Sequence, residues 1–342
     1  MSLKSIQRKR EYTKYVVDKR LCYYEPSRDK LQKTFAQELS SSLDQKQKSI
    51  SPKFFYDKKG SQLFEEICKL PEYYLTRTEI SILTQLYDKL PSHLNGDFRL
   101  VELGSGSSKK TRILLSILER LHKHIEYFPI DISKILKESS TILLDDYENL
   151  HITGIIDNYE SGLEFIKNYD NKKNLIAFLG SSFGNFDYEH GLKFLQKINS
   201  SMKKNDLFLI GLDLVKDKTV LERAYNDSQG VTAKFNLNVL SRINSELDSN
   251  FNINKFAHHA FYNEYKNRVE IYLRSLENQT VKIHKAGMVL PIKQDELIHT
   301  ENSYKYTISK IKEIFSMSSF RIKDIWFDEK QYFCLVLLSK ND

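Results

Sequence analysis

The sequence is poor in the features that would tie it to a membrane, an oxidising compartment or a metal. Its three cysteines, Cys22, Cys68 and Cys334, lie far apart and form neither a CxxC pair nor a ligand cluster. Such spacing offers no disulfide framework and no zinc site, and it suits a reduced, cytoplasmic setting. No apolar run approaches the roughly 20 residues that a membrane-spanning helix needs. The opening stretch MSLKSIQRKREYTKY has no apolar core behind its charges, so a secretory signal is not expected. All six prolines are isolated, which removes the Asn/Asp-Pro-Pro-aromatic motif used on exocyclic base amines. His258, His259 and His299 have no suitably spaced metal partners and read as surface or satisfied interior groups.

What is present is a chain of 342 residues, long enough for about two domains. The net charge of +7 is concentrated at the start: residues 1–60 carry 15 Lys/Arg against 7 Asp/Glu, and the remainder is close to neutral. These basic residues are scattered and no nucleic-acid-binding motif accompanies them, so the arm reads as a solvated terminus. A small molecule is therefore the expected partner, with neither nucleic acid nor membrane. No heptad or apolar patch demands an obligate oligomer, and a monomer is expected.

The middle of the chain alternates strand-like and helix-like stretches. FRLVEL (98–103), IEYFPID (125–131), HITGIID (151–157), NLIAFLG (174–180) and DLFLIGLDLV (206–215) are short apolar strands. Between them lie helical segments such as KKTRILLSILERL (109–121), with Ile113, Leu114, Ile117 and Leu118 at helical spacing. This order predicts an α/β fold with a doubly wound, mostly parallel sheet. RIKDIWF and QYFCLVLLS, separated by a short turn, predict a closing antiparallel hairpin. Residues 216–304 break the pattern. RVEIYLRSL and TVKIHKAGMVL read there as a strand pair, and SYKYTISKIKEIFSM from Ser303 as a helix. The expected division is a substrate-binding domain of residues 1–78 and 215–304, and a cofactor-binding domain of residues 79–214 and 305–342.

Ligands of open parallel sheets bind beyond the carboxyl ends of the strands. The first strand of the series ends in Glu102-Leu103-Gly104-Ser105-Gly106-Ser107-Ser108. Gly104 and Gly106 allow a tight turn and a close approach to backbone. The following helix points its free N–H groups at the loop. The next strand ends at Asp131, whose carboxylate can accept both hydroxyls of a ribose. A nicotinamide dinucleotide would call for GxGxxG, but Lys109 stands where the third glycine belongs. That disfavours a pyrophosphate on the helix and favours S-adenosylmethionine.

The chain resembles the histidine-specific Nα-methyltransferases of the ergothioneine pathway. The likeness runs from residue 51 to the end. It is carried by SPKFFYDKKGSQLFEEICKLPEYYLTRTE (51–79), VELGSGSSKKT (101–111), FPIDIS (128–133), FLGSSFGNFD (178–187), AYNDSQGVTAKFNLNVLSRIN (224–244), RVEIYL (268–273) and HTENSYKY (299–306). The resemblance implies a class I methyltransferase fold and S-adenosylmethionine contacts from Gly104, Gly106, Lys110 and Asp131. It implies that Asn185 and Tyr225 hold the amine and carboxylate of an amino acid and serve catalysis. Tyr56 and Tyr73 would line the pocket, Glu301 and Ser303 would receive an imidazole ring, and Gly180 and Phe64 would lie near the methylated nitrogen. The implied activity is methylation of the α-amine of L-histidine, with the trimethylated betaine as product.

Two departures bear on this. Ile271 stands where the family often has Met against the substrate ring, and it is stiffer and shorter. The family tends to place Asp before an aromatic after the third strand, to bind the adenine amine, whereas this chain has Asp157-Asn158-Tyr159. Either Asp157 takes that place by a one-residue shift, or Asn158 accepts through its side-chain oxygen. Ile271 keeps a methyltransferase of another aromatic amino acid, such as tryptophan, as the nearer rival. A non-catalytic protein binding nucleic acid through the basic arm is the more distant one.

Overall fold

The computed structural model describes residues 11–27, 34–106, 108–133 and 135–341. The basic N-terminal arm lies partly outside the described residues, as does Ser107 of the glycine loop. The central sheet has nine strands: β1 (Tyr12–Val16), β2 (Leu21–Pro26), β3 (Phe98–Leu103), β4 (Ile125–Asp131), β5 (Leu150–Ile156), β6 (Lys173–Phe178), β7 (Leu207–Asp213), and the late strands β13 (Phe320–Phe327) and β14 (Phe333–Lys340). Their spatial order is β1-β2-β5-β4-β3-β6-β7-β14-β13. Strands β2 to β7 run parallel to their neighbours, while β1 and the hairpin β13–β14 are antiparallel. This is the expected doubly wound, mostly parallel sheet with a closing antiparallel hairpin.

Burial on both faces explains the composition of the central strands. Every residue of β3 and β7 is buried, so these strands are mainly apolar rather than alternating, with Arg99, Glu102 and Asp213 as buried charged exceptions. Helices α3 (Tyr74–Lys89), α4 (Lys109–Leu121) and α5 (Ile135–Asp146) cover one face, where Leu83, Leu86, Leu114, Leu118 and Leu143 meet Leu100 and Tyr127. Helices α6 (Tyr159–Lys167), α7 (Tyr188–Ser201) and α10 (Ile308–Met317) cover the other through Leu163, Leu195, Ile311 and Phe315. The chain moves outward from β3 to β4 and β5, then returns to place β6 on the opposite side of β3. The carboxyl ends of β3, β4, β5, β6 and β7 therefore share one edge, with the reversal of winding at β3.

A third core lies beyond that edge. It joins α1 (Phe35–Leu43) and α2 (Lys58–Ile67) to α8 (Lys218–Tyr225), α9 (Val231–Leu247) and the strands β8 (Phe256–Asn263), β9 (Arg268–Ser275), β10 (Gln279–Ile283), β11 (Met288–Ile292) and β12 (Leu297–Tyr304). Strands β12, β9 and β8 form an antiparallel sheet in that order. The backbone of Leu214 bridges Tyr306, and the Tyr306 N–H donates to the Asp213 carbonyl (2.9 Å). The substrate-side sheet is thereby fastened to the end of β7.

Three local expectations change. Residues 12–26 do not join the substrate side, because β1 and β2 extend the large sheet beside β5, where Leu21 and Tyr23 are buried against Ile152. TVKIHKAGMVL does not pair with RVEIYLRSL. It folds on itself, with Gly287 at φ 60° ending the short turn between β10 and β11. Ser303 lies in β12, and the helix begins only at Ile308, after the Thr307 side chain caps it by accepting the Lys310 N–H. Among the described residues no helix is long and apolar enough to cross a membrane.

Candidate active site

The glycine loop stands at the carboxyl edge, where Gly104 and Gly106 adopt φ of 75° and 48°. The Gly104 N–H donates to the Ile130 carbonyl (3.0 Å), which ties the loop to β4. A Cβ on Gly104 would stand 2.8 Å from the Tyr159 hydroxyl, so only glycine permits this approach. Asp131 accepts the Ser133 N–H (2.8 Å), and burial raises its pKa. At the end of β5, the Asn158 oxygen caps α6 by accepting the Ser161 N–H (2.9 Å). The Asp157 carboxylate accepts from the Asn158 N–H (2.7 Å) and the Tyr12 hydroxyl (2.7 Å). Of the two alternatives for the adenine amine, the capping duty of Asn158 favours Asp157.

This edge fits S-adenosylmethionine. Gly106 faces open space, with nothing within 4 Å of where its Cβ would stand. Asp131 and Asp157 stand at the ends of successive strands and would hold an adenosine by its two polar points, the ribose diol and the adenine amine. Ser108 adds a buried hydroxyl without a protein partner among the described residues.

Lys110 is brought to this edge but is already paired. Its ammonium donates to Glu79 (2.6 Å), a carboxylate with a side-chain exposure of 1%. Both Glu79 oxygens also accept the Gly180 N–H (2.9 Å). Gly180 has φ 82°, and a Cβ there would lie 3.2 Å from the Lys110 nitrogen. Glu79 thus couples the end of β6 to the start of α4, and the sequence reading missed it.

A cavity opens in the third core. Tyr56, Phe64, Tyr73, Tyr225, Ile271 and Glu301, all singled out in the sequence, line it together. The rings touch in edge-on or tilted pairs, with centroids of Tyr56 and Phe64 5.7 Å apart and of Tyr73 and Tyr225 6.1 Å apart. Glu301 faces Ile271 across the β9–β12 ladder, beside a register shift between His299 and Glu301. Burial pushes the Glu301 carboxyl up to about 7, against the pull of Lys305 and Asn185. Asn185 ends the short helical turn Ser182–Asn185, and its amide nitrogen donates to Glu301 (3.2 Å) and to the Asn302 carbonyl (3.1 Å). Its oxygen is what remains to be offered to a ligand.

Ser303 stands apart from this wall. Its Oγ lies 2.7 Å from the Tyr225 hydroxyl and accepts from the Lys305 ammonium (2.7 Å), and it does not line the cavity. Lys305 also donates to Tyr225 (3.0 Å) and to Asp213 (2.8 Å). Asp213 further accepts from Tyr74 (2.7 Å) and Lys216 (2.6 Å). Burial would raise the Asp213 pKa, but the two ammonium groups outweigh it and hold the pKa below the ordinary carboxylate value. Burial lowers Lys216 to about 8.

Sequence reading also missed Phe55, Thr232, Phe235 and Asn236, all on the cavity wall. The last three follow the i, i+3, i+4 spacing of one face of α9, which was the available signal. Thr232 Oγ1 and Asn236 Oδ1 are buried and have no protein partner among the described residues. The Asn236 amide donates to His258 Nδ1 (2.9 Å), while His258 Nε2–H donates to the Tyr225 carbonyl (2.8 Å). His258 is thus a satisfied interior histidine, with its pKa lowered by burial.

The model of the family described as histidine-specific, S-adenosylmethionine-dependent methyltransferase matches residues 35–340. The chain belongs to this family. It is 37% identical over 302 residues to the histidine N-alpha-methyltransferase of Mycobacterium tuberculosis, covering 88% of this chain and 93% of that one. It is 33% identical to the protein of that name from Mycolicibacterium smegmatis, covering 90% and 96%. The L-tryptophan methyltransferase trpM of Psilocybe serbica is 26% identical, covering 86% and 89%. As a member of the histidine-specific methyltransferases, the protein is an S-adenosylmethionine-dependent enzyme.

Proposed function

We propose that the protein transfers methyl groups from S-adenosylmethionine to the α-amine of L-histidine, giving the trimethylated betaine. The observation that carries this reading is Glu301, a carboxyl group set among Tyr56, Phe64, Tyr73 and Ile271. An aromatic cavity admits a flat ring, and one carboxylate inside it selects a ring that carries an N–H. A site built to hydrogen-bond a substrate group rejects analogues lacking that group. Asn236 Oδ1, on the same wall and without a partner among the described residues, is a further acceptor for a polar ring.

The bound cofactor supplies an activated methyl on a sulfonium, and the protein positions the nucleophile against it. The attacking amine must be neutral, because an ammonium has no lone pair. Asn185 suits this requirement. Its nitrogen is committed to Glu301 and Asn302, so its uncharged oxygen faces the amine and accepts an N–H. A carboxylate in that place would favour the charged amine instead. The aromatic wall suits each successively methylated ammonium by cation–π attraction.

Ile271 motivates tryptophan as the second reading, since an indole N–H could also reach Glu301. The test is incubation of the purified protein with S-adenosylmethionine and histidine, tryptophan or tyrosine side by side, followed by product mass spectrometry. Histidine carrying three added methyl groups is the expected dominant product. Preferential methylation of tryptophan would overturn the proposal.

A further inference from the structure

Beneath the cavity, Lys305 has no free donor. An ammonium has three N–H groups and no acceptor. The three are directed at Asp213 Oδ2 (2.8 Å), Ser303 Oγ (2.7 Å) and the Tyr225 hydroxyl oxygen (3.0 Å). Lys305 therefore donates to both hydroxyls. These two oxygens also lie 2.7 Å apart, so one of them donates to the other. Between them they hold two protons, one of which occupies the shared bond while the other must find an acceptor elsewhere.

Burial decides which proton is released. Ser303 is 3% exposed, does not line the cavity, and has no partner besides Lys305 and Tyr225 among the described residues. A Ser303 proton turned away from Tyr225 would be buried and unpaired, which is strongly disfavoured. With Ser303 donating to Tyr225 instead, the phenolic oxygen receives two hydrogen bonds and its own O–H is free. Tyr225 lines the cavity, so that O–H is the one left for a ligand bound there.

We propose that Lys305, clamped by Asp213, is a positioning residue that makes Tyr225 a hydrogen-bond donor toward the carboxylate of the bound amino acid. The inference rests on the cavity being the amino-acid site. It divides the labour between the two polar residues there: Asn185 accepts from the amine, and Tyr225 donates to the carboxylate. It also gives Ser303 a duty through Tyr225 rather than at the substrate ring. The clamp joins the end of β7 to the end of β12, so the sheet that carries the cofactor loop also sets the direction of a substrate hydrogen bond.

The experiment is a double-mutant cycle. Lys305→Met and Ser303→Ala are each made alone and in a Tyr225→Phe background. Histidine KM and kcat are measured, together with the inhibition constant of histamine, which keeps the ring and amine but lacks the carboxylate. Lys305→Met is expected to raise the KM for histidine about tenfold to a hundredfold, with a much smaller change in kcat. Histamine inhibition should be nearly unchanged. In the Tyr225→Phe background both substitutions should add almost nothing. S-adenosylhomocysteine affinity reports whether each variant is folded, and the Ser303→Ala cycle decides the matter if Lys305→Met does not fold. Losses that add fully in the Tyr225→Phe background, or that weaken histamine as much as histidine, would overturn the inference. Absence of histidine turnover by the wild-type protein would overturn the functional reading beneath it.

Discussion

Glu301 shows how one side chain can carry both selectivity and a pH signature. Desolvation disfavours its charged form and raises its carboxyl to about 7, so it is protonated at lower pH and ionised above. The ionised form accepts a ring N–H more strongly than a neutral amide does. Glu301→Gln mimics the protonated state. The wild-type to variant ratio of kcat/KM for histidine cancels the titrations of the substrate itself. That ratio should rise as pH increases through about 7 and level off above it; a ratio flat with pH would remove Glu301 from ring recognition. Gly180 is a residue of a different kind, with positive φ and the Lys110 ammonium beside its missing side chain. Gly180→Ala should cost about 1–2 kcal/mol of stability from the left-handed backbone alone. Crowding of the Lys110–Glu79 pair should also weaken S-adenosylhomocysteine binding, as calorimetry would show.

At the scale of elements, the sheet was legible because its strands are short apolar runs between amphipathic helices. The segment 109–121 and the strand 125–131 fall where the periodicity places them. The end of β12 was not legible in the same way. TISKIKEIFSM has a strong helical pattern, and it drew the preceding SYKY into the helix. Period-two alternation was the competing signal, since it sets Glu301, Ser303 and Lys305 at successive same-face positions. Reading that alternation would have exposed Lys305 as a neighbour of the site. The first strand pair was missed because residues 12–26 carry many charges, and pairing with β1 and β5 makes a strand of β2. That pair brings Tyr12 to Asp157, so an edge element helps hold a cofactor-side carboxylate. Tyr12→Phe should lower S-adenosylhomocysteine affinity severalfold while leaving the histidine KM nearly unchanged. An equal loss in both would mean that the strand pair supports the whole fold rather than the adenine side.

At the scale of the molecule, buried carboxyl groups make stability depend on pH. Glu102 lies under the glycine loop at 2% exposure and accepts from Thr111 (2.7 Å) and Tyr127 (2.6 Å). Burial outweighs both hydrogen bonds and pushes it up to about 7. In the unfolded chain the same group loses its proton near the ordinary glutamate value of about 4.3. Between those two values the folded state holds a proton that the unfolded state has released. Raising pH across that window therefore removes stability, by roughly 4 kcal/mol at full effect. Glu301 adds a contribution of the same sign. Asp213 opposes them only at low pH, because its lowered pKa stabilises the fold above the ordinary aspartate value and loses that effect on acidification. His258 and His299, whose pKa values burial lowers, add stability as pH rises through the ordinary histidine value, so the melting temperature itself carries both signs. Glu102→Gln keeps an acceptor for Thr111 and Tyr127 but cannot ionise, so the melting temperature of the ligand-free wild type should fall relative to that of this variant as pH is raised from about 5 to 8. Parallel melting curves for wild type and Glu102→Gln over that range would show that Glu102 keeps an ordinary carboxylate pKa in the folded protein, and that the glycine loop rests on an anion.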